Sequence, residues 1–258
     1  GTAPPRNRAE WEIAAVPGVM PQMRISDVSK GRVTVRSRTY TIEAPEVLES
    51  AGRNFLSQLE DLALSMESVS GRKRRVKSTE MRIEAGKAGA SAAHGGRYIR
   101  FGPGFWYFDR LQFRHSLIHE LGHNYNFYHG GLHETMVELV RAGKAPQIGQ
   151  QDVKWLFFDR MNGTRQNEKV GYEKSYPDIG LYLYCYSQNG TAFTRYLVAH
   201  ENDHRKKLRD LGYSEAEITA ALCSVAMGRD MEAICRAYGL DFSRERINSV
   251  IAQLPKQQ

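Results

Sequence analysis

The string His119-Glu120-Leu121-Gly122-His123 lies inside a helical pattern and constrains this chain more than any other feature. At about 100° per residue, positions i and i+4 stand roughly 40° apart on one helical face, so both imidazoles can hold a single divalent ion. Glu120 projects from the adjoining part of that face, where it can take a proton from a water whose pKa the ion lowers. Leu117, Ile118, Leu121, Tyr125 and Phe127 frame the string, and no charge occupies its variable positions. Such a helix can be buried, which orients ligands and limits water. The pattern predicts a Zn2+ site with His119 and His123 as metal ligands and Glu120 as the catalytic base.

The same form recurs in His200-Glu201-Asn202-Asp203-His204, with Arg205-Lys206-Lys207 behind it. Charge inside and after that string is the composition of a solvated helix face, so it is read as surface helix. A catalytic zinc takes three protein ligands and keeps one position open. Five of the eight histidines fall within residues 115–133, so the third ligand is sought there. His129, His133, Glu134 and Glu138 all follow closely. His119, His123 and His129 have the H-x3-H-x5-H spacing of metzincins, with Asn126 where that motif has Gly; Asn tolerates the left-handed turn. Met136 is nearest to the Met turn of that pattern, but residues 132–140 read as an amphipathic helix. In the gluzincin arrangement, His129-Gly130-Gly131 ends the first helix sharply and a second helix runs back. Glu134 then stands early on it and Glu138 one turn further. Glu134 is preferred, with His129 and Glu138 as alternative third ligands. His115, one turn before His119, is read as a supporting residue.

Alternation over 32–44 predicts one or two strands, and short strands are expected at 81–85 and 97–101. A long helix is expected over 45–66. Helices are expected over 110–128, 133–142, 151–161, 178–187, 191–211, 214–227, 230–238 and 243–254, with Ser214 and Glu217 forming a capping box. Strands first and helices after is an α+β arrangement. Residues 1–30 read as a tail or wrapping segment. Residues 31–258 read as one catalytic domain, strand-rich over 31–109 and helical over 110–258. Hydrophobic residues make up 41% of the 258, enough for a packed core. No apolar run approaches the ~20 residues of a membrane-spanning helix. Three cysteines make no disulfide framework: Cys223 and Cys235 could pair and leave Cys185, or all three are small buried residues.

The formal charge of +7 is lopsided, with 18 basic against 12 acidic side chains in residues 1–110 and 18 against 17 in the rest. The run Arg72-Lys73-Arg74-Arg75 is either a solvated loop or an attraction for an acidic or polyanionic partner. Nothing resembling a recognition helix or a stacking signature accompanies it, so nucleic acid is not favoured. The chain opens Gly-Thr-Ala-Pro-Pro, a processed or engineered start. A secreted or periplasmic place is the expectation, with the cytoplasm left open.

The run HELGHNYNFYHGGLHETMVELVRAGKAP resembles the signature of the plant basic secretory protein family of zinc peptidases. There an HExxH helix is followed by a Gly-Gly-Leu-x-Glu helix start and a short basic exit. The later Ser175-Tyr176-Pro177-Asp178-Ile179-Gly180-Leu181-Tyr182 is similar to that family's Tyr-Asp and its following helix, with Pro177 interrupting the pair. The resemblance covers about residues 95–200, best over 117–145. More distantly the chain looks like enhancin-type and mucin-cleaving peptidases. The resemblance implies a zincin-like fold of gluzincin type, with His119, His123 and Glu134 on Zn2+, Glu120 as base and Tyr176 as oxyanion donor, Tyr172 being the alternate. It implies a zinc-dependent endopeptidase acting on a protein or peptide. By their position alone, residues 97–101 could present a strand edge to an extended substrate. Competing readings are a zinc amide hydrolase for cell-wall peptides, a metzincin-type protease using His129, and a non-catalytic zinc domain that binds DNA or a partner.

Overall fold

A computed structural model describes residues 32–36, 40–45, 49–75, 79–83, 90–93, 97–101, 111–128, 130–143 and 178–256. The expected tail over 1–30, the helix over 151–161, and His129, Tyr172 and Tyr176 lie outside the described residues.

Strands β1 (Arg32–Arg36) and β2 (Tyr40–Pro45) form an antiparallel pair in which Val33 faces Ala44 and Val35 faces Ile42. Helix α1 (Glu49–Ser70) then carries the chain to β3 (Thr79–Ile83), which pairs parallel with β2. Parallel neighbours need a crossover of this kind. Strands β4 (Ala90–Ala93) and β5 (Tyr98–Phe101) complete the order β1-β2-β3-β5-β4, with β5 parallel to β3 and antiparallel to β4. The α+β expectation holds in coarse form, as a mostly helical chain with a small, partly parallel sheet.

Three expectations change. Pro45 does not start a helix but closes β2 opposite Arg32, and α1 begins four residues later. Strand β4 was not anticipated, because Ala-Ser-Ala-Ala has little intrinsic strand preference; pairing with β5 holds it. That pairing moves β5 inside the sheet, so residues 97–101 are no open edge, and β4 and β1 are the terminal strands among the described residues.

The chain divides into two compact units. The first holds the sheet, α1 as far as Ser65, and helix α2 (Leu111–Gly122) with the 3-10 turn His123–Tyr125. Its core includes Tyr40, Leu59, Leu62, Ile99, Ile118 and Tyr125, and α2 packs on β4. The second holds α3 (Gly131–Gly143), α4 (Asp178–Asn189), α5 (Thr191–Asp210), α6 (Glu215–Met227), α7 (Glu232–Ala237) and α8 (Arg244–Ile251). In it α4 packs on α3, α5 and α6, and α6 packs on α5 and α8.

The last turn of α1 also belongs to this second unit, where Thr194 Oγ1 donates to the Val69 carbonyl at 2.5 Å. Gly71 ends that helix at φ +67, and a Cβ there would stand 2.7 Å from Arg195 Cγ. The capping box is present: Ser214 Oγ accepts from Glu217 N–H at 3.2 Å, and Glu217 Oε2 accepts from Ser214 N–H at 2.8 Å. Cys185, Cys223 and Cys235 are all buried free thiols, with no bridge between Cys223 and Cys235. Burial pushes the Cys223 thiol well up, and hydrogen bonds with Cys185 and Cys235 add to that. No helix among the described residues is long and apolar enough to cross a membrane.

Candidate metal centre

Helix α2 is anchored by Leu117, Ile118 and Leu121, each at most 2% exposed. Those three fix its rotation, which leaves His119 and His123 half-buried beside them. The two imidazoles meet edge to face with ring centroids 5.1 Å apart. Glu120 is 8% exposed, and its Oε2 stands 3.8 Å from His123 Nε2. The pair and the carboxylate therefore occupy the adjoining parts of one face, as the spacing predicts.

The helix stops earlier than the expected residue 128. It tightens into the 3-10 turn and ends at Asn126, whose φ of 51 and ψ of 49 are left-handed and cannot continue a right-handed helix. The turn is tied to the sheet and to α1 by specific bonds. The Asn124 carbonyl accepts from Arg75 N–H at 2.9 Å, Thr79 Oγ1 lies 3.4 Å from Asn124 Oδ1, and Tyr125 O–H donates to the Ala63 carbonyl at 3.0 Å. Arg74 stands over the Tyr40 ring at 5.2 Å and 3.7 Å from Glu60. Burial raises the Tyr40 pKa while Arg74 opposes it. Two members of the basic run thus have local duties, with Arg72 donating to the Val198 carbonyl, while Lys73 and Arg75 face solvent.

Helix α3 carries the remaining candidates, and every residue from Gly131 to Arg141 is buried. The expected amphipathic helix is thus covered on all sides, which its charges tolerate because Glu138 pairs with Arg141 inside. His133 and Glu134 are each 1% exposed in the first turn, and Met136 lies within the helix rather than in a turn. The His133 ring meets Phe127 edge to face at 6.1 Å. Gly131 permits the close approach of α4: a Cβ on it would stand 2.9 Å from Asp178 Cβ.

Among the described residues, one trio of His, Cys, Asp or Glu could hold a metal ion: His119, His123 and His133. Three imidazoles are a donor set suited to zinc and similar borderline divalent ions. His133 was among the neighbours named from sequence but was not preferred; its signal was the local density of histidines.

Solved structures match the chain in fold. The M60 catalytic domain of Clostridium perfringens ZmpC, solved with the sialyl T antigen, matches with a TM-score of 0.51 and 13% identity, over 88% of this chain and 50% of that one. The fold is similar to that of M60 catalytic domains. The M60 domain of Clostridium perfringens ZmpB, solved with its CBM51-1 and CBM51-2 domains, matches with a TM-score of 0.51 and 15% identity, over 87% and 26%. A functionally unknown conserved protein from Bacillus anthracis str. Ames, solved as a mutant, matches with a TM-score of 0.59 and 12% identity, over 87% and 52%. The chain thus spans about half the length of two of these and a quarter of the third. Identities this low establish the fold alone. No family model matches the sequence, and no curated protein does.

The second HExxH string is only in part the solvated face its composition predicts: Asp203 is exposed and His200 and His204 are half-buried, but two of its charges turn inward. Glu201 and Arg205 are each 1% exposed, on the stripe of α5 that also buries Phe193, Leu197 and Leu208. Arg205 donates from Nε to Glu201 Oε1 at 2.9 Å and from Nη2 to Tyr182 Oη at 3.0 Å and Thr219 Oγ1 at 3.1 Å, and it pairs with Glu215. Tyr182 O–H donates to Glu201 Oε1 at 3.0 Å, and Thr219 O–H to Asp178 Oδ2 at 3.3 Å. Burial raises the carboxyl pKa of Glu201 and Asp178, and Arg205 opposes it in both. A cavity of about 490 Å³, lined by Val225, Arg229, Asp230, Glu232, Arg244 and Ile247 among others, includes none of the residues of the candidate metal centre. Cavity volume therefore does not locate the chemistry.

Proposed function

We propose that residues 31–258 form one catalytic domain of a zinc-dependent endopeptidase, with His119 and His123 as ligands and Glu120 as general base. The observation that carries this reading is the HExxH face itself: two imidazoles 5.1 Å apart with a buried carboxylate beside them. The likeness to M60 catalytic domains, which are zinc metallopeptidases, supports it. The third ligand comes from the first turn of α3. Glu134 is the choice the plant-family resemblance implies, and a carboxylate this buried is stable only beside donors or a cation. The histidine trio supports a second reading in which the His133 imidazole completes the set. Glu138 is already engaged by Arg141.

A bound zinc ion would supply Lewis-acid polarisation of the scissile carbonyl and a lowered pKa for the attacking water. Glu120 takes the proton of that water and passes it to the leaving amine. Its low exposure keeps the carboxylate from being solvated away from the reacting atoms. Tyr176, or Tyr172, is the proposed oxyanion donor. An extended substrate adds to β4, the terminal strand against which α2 packs.

The substrate is a protein or peptide met outside the cytoplasm, and the basic excess of residues 1–110 suits one that is acidic or borne on a polyanionic surface. The complex of ZmpC with the sialyl T antigen makes a glycosylated protein the first substrate to try.

The deciding experiment is Glu120→Gln, assayed on a glycosylated and an unglycosylated protein with zinc content measured alongside. Zinc should stay at the wild-type stoichiometry while cleavage falls by about 10²–10⁴-fold. Cleavage at the wild-type rate would overturn the mechanism. A wild-type chain that binds zinc and cuts neither protein would move the reading toward a cell-wall amide hydrolase or a non-catalytic zinc domain.

A further inference from the structure

We propose that His200 and His204 form a second metal site on the surface of α5, a two-imidazole chelate for a borderline divalent cation completed by water. The pair repeats the i, i+4 spacing of the first string, and its ring centroids are 5.8 Å apart against 5.1 Å for His119 and His123. Both rings are half-exposed, so an ion and its remaining waters can reach them.

The tautomer of His204 is set by a bond within the string. His204 Nδ1 lies 2.9 Å from the His200 carbonyl oxygen, which can only accept, so Nδ1 carries the proton. A neutral ring protonated at Nδ1 keeps its lone pair on Nε2, the arrangement that metal-ligating histidines use. The His200 ring is steadied from the other side. Tyr196 lies against it with centroids 4.7 Å apart, and Tyr196 O–H is itself fixed on the Pro255 carbonyl at 2.7 Å.

The string lacks the other half of a hydrolytic centre. Glu201 Oε1 is occupied by Arg205 and Tyr182, and the side chain is 1% exposed, so it offers no base to the face where the imidazoles stand. The site therefore binds a cation without supplying hydrolysis. Two nitrogens and water suit Cu2+ best in the divalent series, with Ni2+ and Zn2+ weaker.

The test uses the full chain carrying His119→Ala, His123→Ala and His133→Ala, which removes the candidate centre and separates this site from the proposed function. Titration with Cu2+, followed by electron paramagnetic resonance, should show one equivalent with nitrogen hyperfine coupling. Adding His200→Gln or His204→Gln should weaken that binding by at least about tenfold with the circular dichroism spectrum unchanged. In the otherwise wild-type chain, the double change His200→Gln/His204→Gln should remove one Cu2+ equivalent and leave the protease assay where it was. Copper binding that survives both glutamines, or no binding in the triple variant, would overturn the site.

Discussion

His133 and Glu134 share one turn of α3 at 1% exposure each, yet as ligands they differ in charge and in what their loss does. A carboxylate with two imidazoles leaves a Zn2+ site with one positive charge, whereas three imidazoles leave two. With Glu134 as the ligand, Glu134→Ala should weaken zinc binding by about a hundredfold and abolish cleavage, while His133→Ala changes affinity far less. Competition against a chromophoric chelator reads both, and the reverse order would assign the third position to His133. At the other end of the chain, Arg246 donates to Glu217 from Nε at 2.6 Å, and this contact, with the capping bonds of Ser214, holds the Glu217 carboxyl below its ordinary 4.5. A depressed folded-state pKa stabilises above the unfolded value and is lost as pH falls through the folded one. The stability gap between wild type and Glu217→Gln should therefore be full at about pH 6 and should narrow below the ordinary carboxyl value. Urea midpoints at several pH values would show it, and a gap independent of pH would remove the assignment.

Among the elements, α3 is the one whose position the sequence pattern constrains least and the site requires most. It is seated by Gly131, where α4 comes so close that a methyl group would stand 2.9 Å from Asp178 Cβ. Gly131→Ala should cost about 1–3 kcal/mol in global stability, measured by urea denaturation. Because the displaced turn carries His133 and Glu134, it should also lower zinc affinity, read in the same chelator competition. Unchanged values for both would show that the helix pair adjusts freely. Helix α2 is held differently, by the apolar residues Leu117, Ile118 and Leu121 within it and by the bonds of Asn124 and Tyr125 just after it. Those apolar residues are what made the first HExxH string readable as a buried helix. The same logic failed for the second string, since the Asp203 and Lys206-Lys207 charges disguised a buried Glu201 and Arg205.

At the scale of the whole molecule, the second unit is organised around Arg205, which meets groups from three helices: Tyr182 of α4, Glu201 of its own α5, and Thr219 and Glu215 of α6. Removing one member of a buried charge network strands the others. Arg205→Met should lose about 3–5 kcal/mol of stability, measured as a shift in urea midpoint at constant slope. A loss below about 1 kcal/mol would mean that the carboxylates are satisfied without it. Local features of this protein were legible from residue order alone, because they rest on contacts within one helical turn or one strand pair. Such features are the HExxH face, the Ser214 capping box, the strand pattern over 32–44 and most of the described helix spans. Other features depend on chain segments that sequence spacing does not relate. The pairing that makes β4 a strand and places β5 inside the sheet is set by hydrogen bonds between strands. Burial of Glu201 is set by Tyr182, nineteen positions away, together with the guanidinium one turn on. Which neighbouring donor joins His119 and His123 is likewise beyond spacing, because spacing names the neighbours of a metal and only folding sets which donor atoms converge.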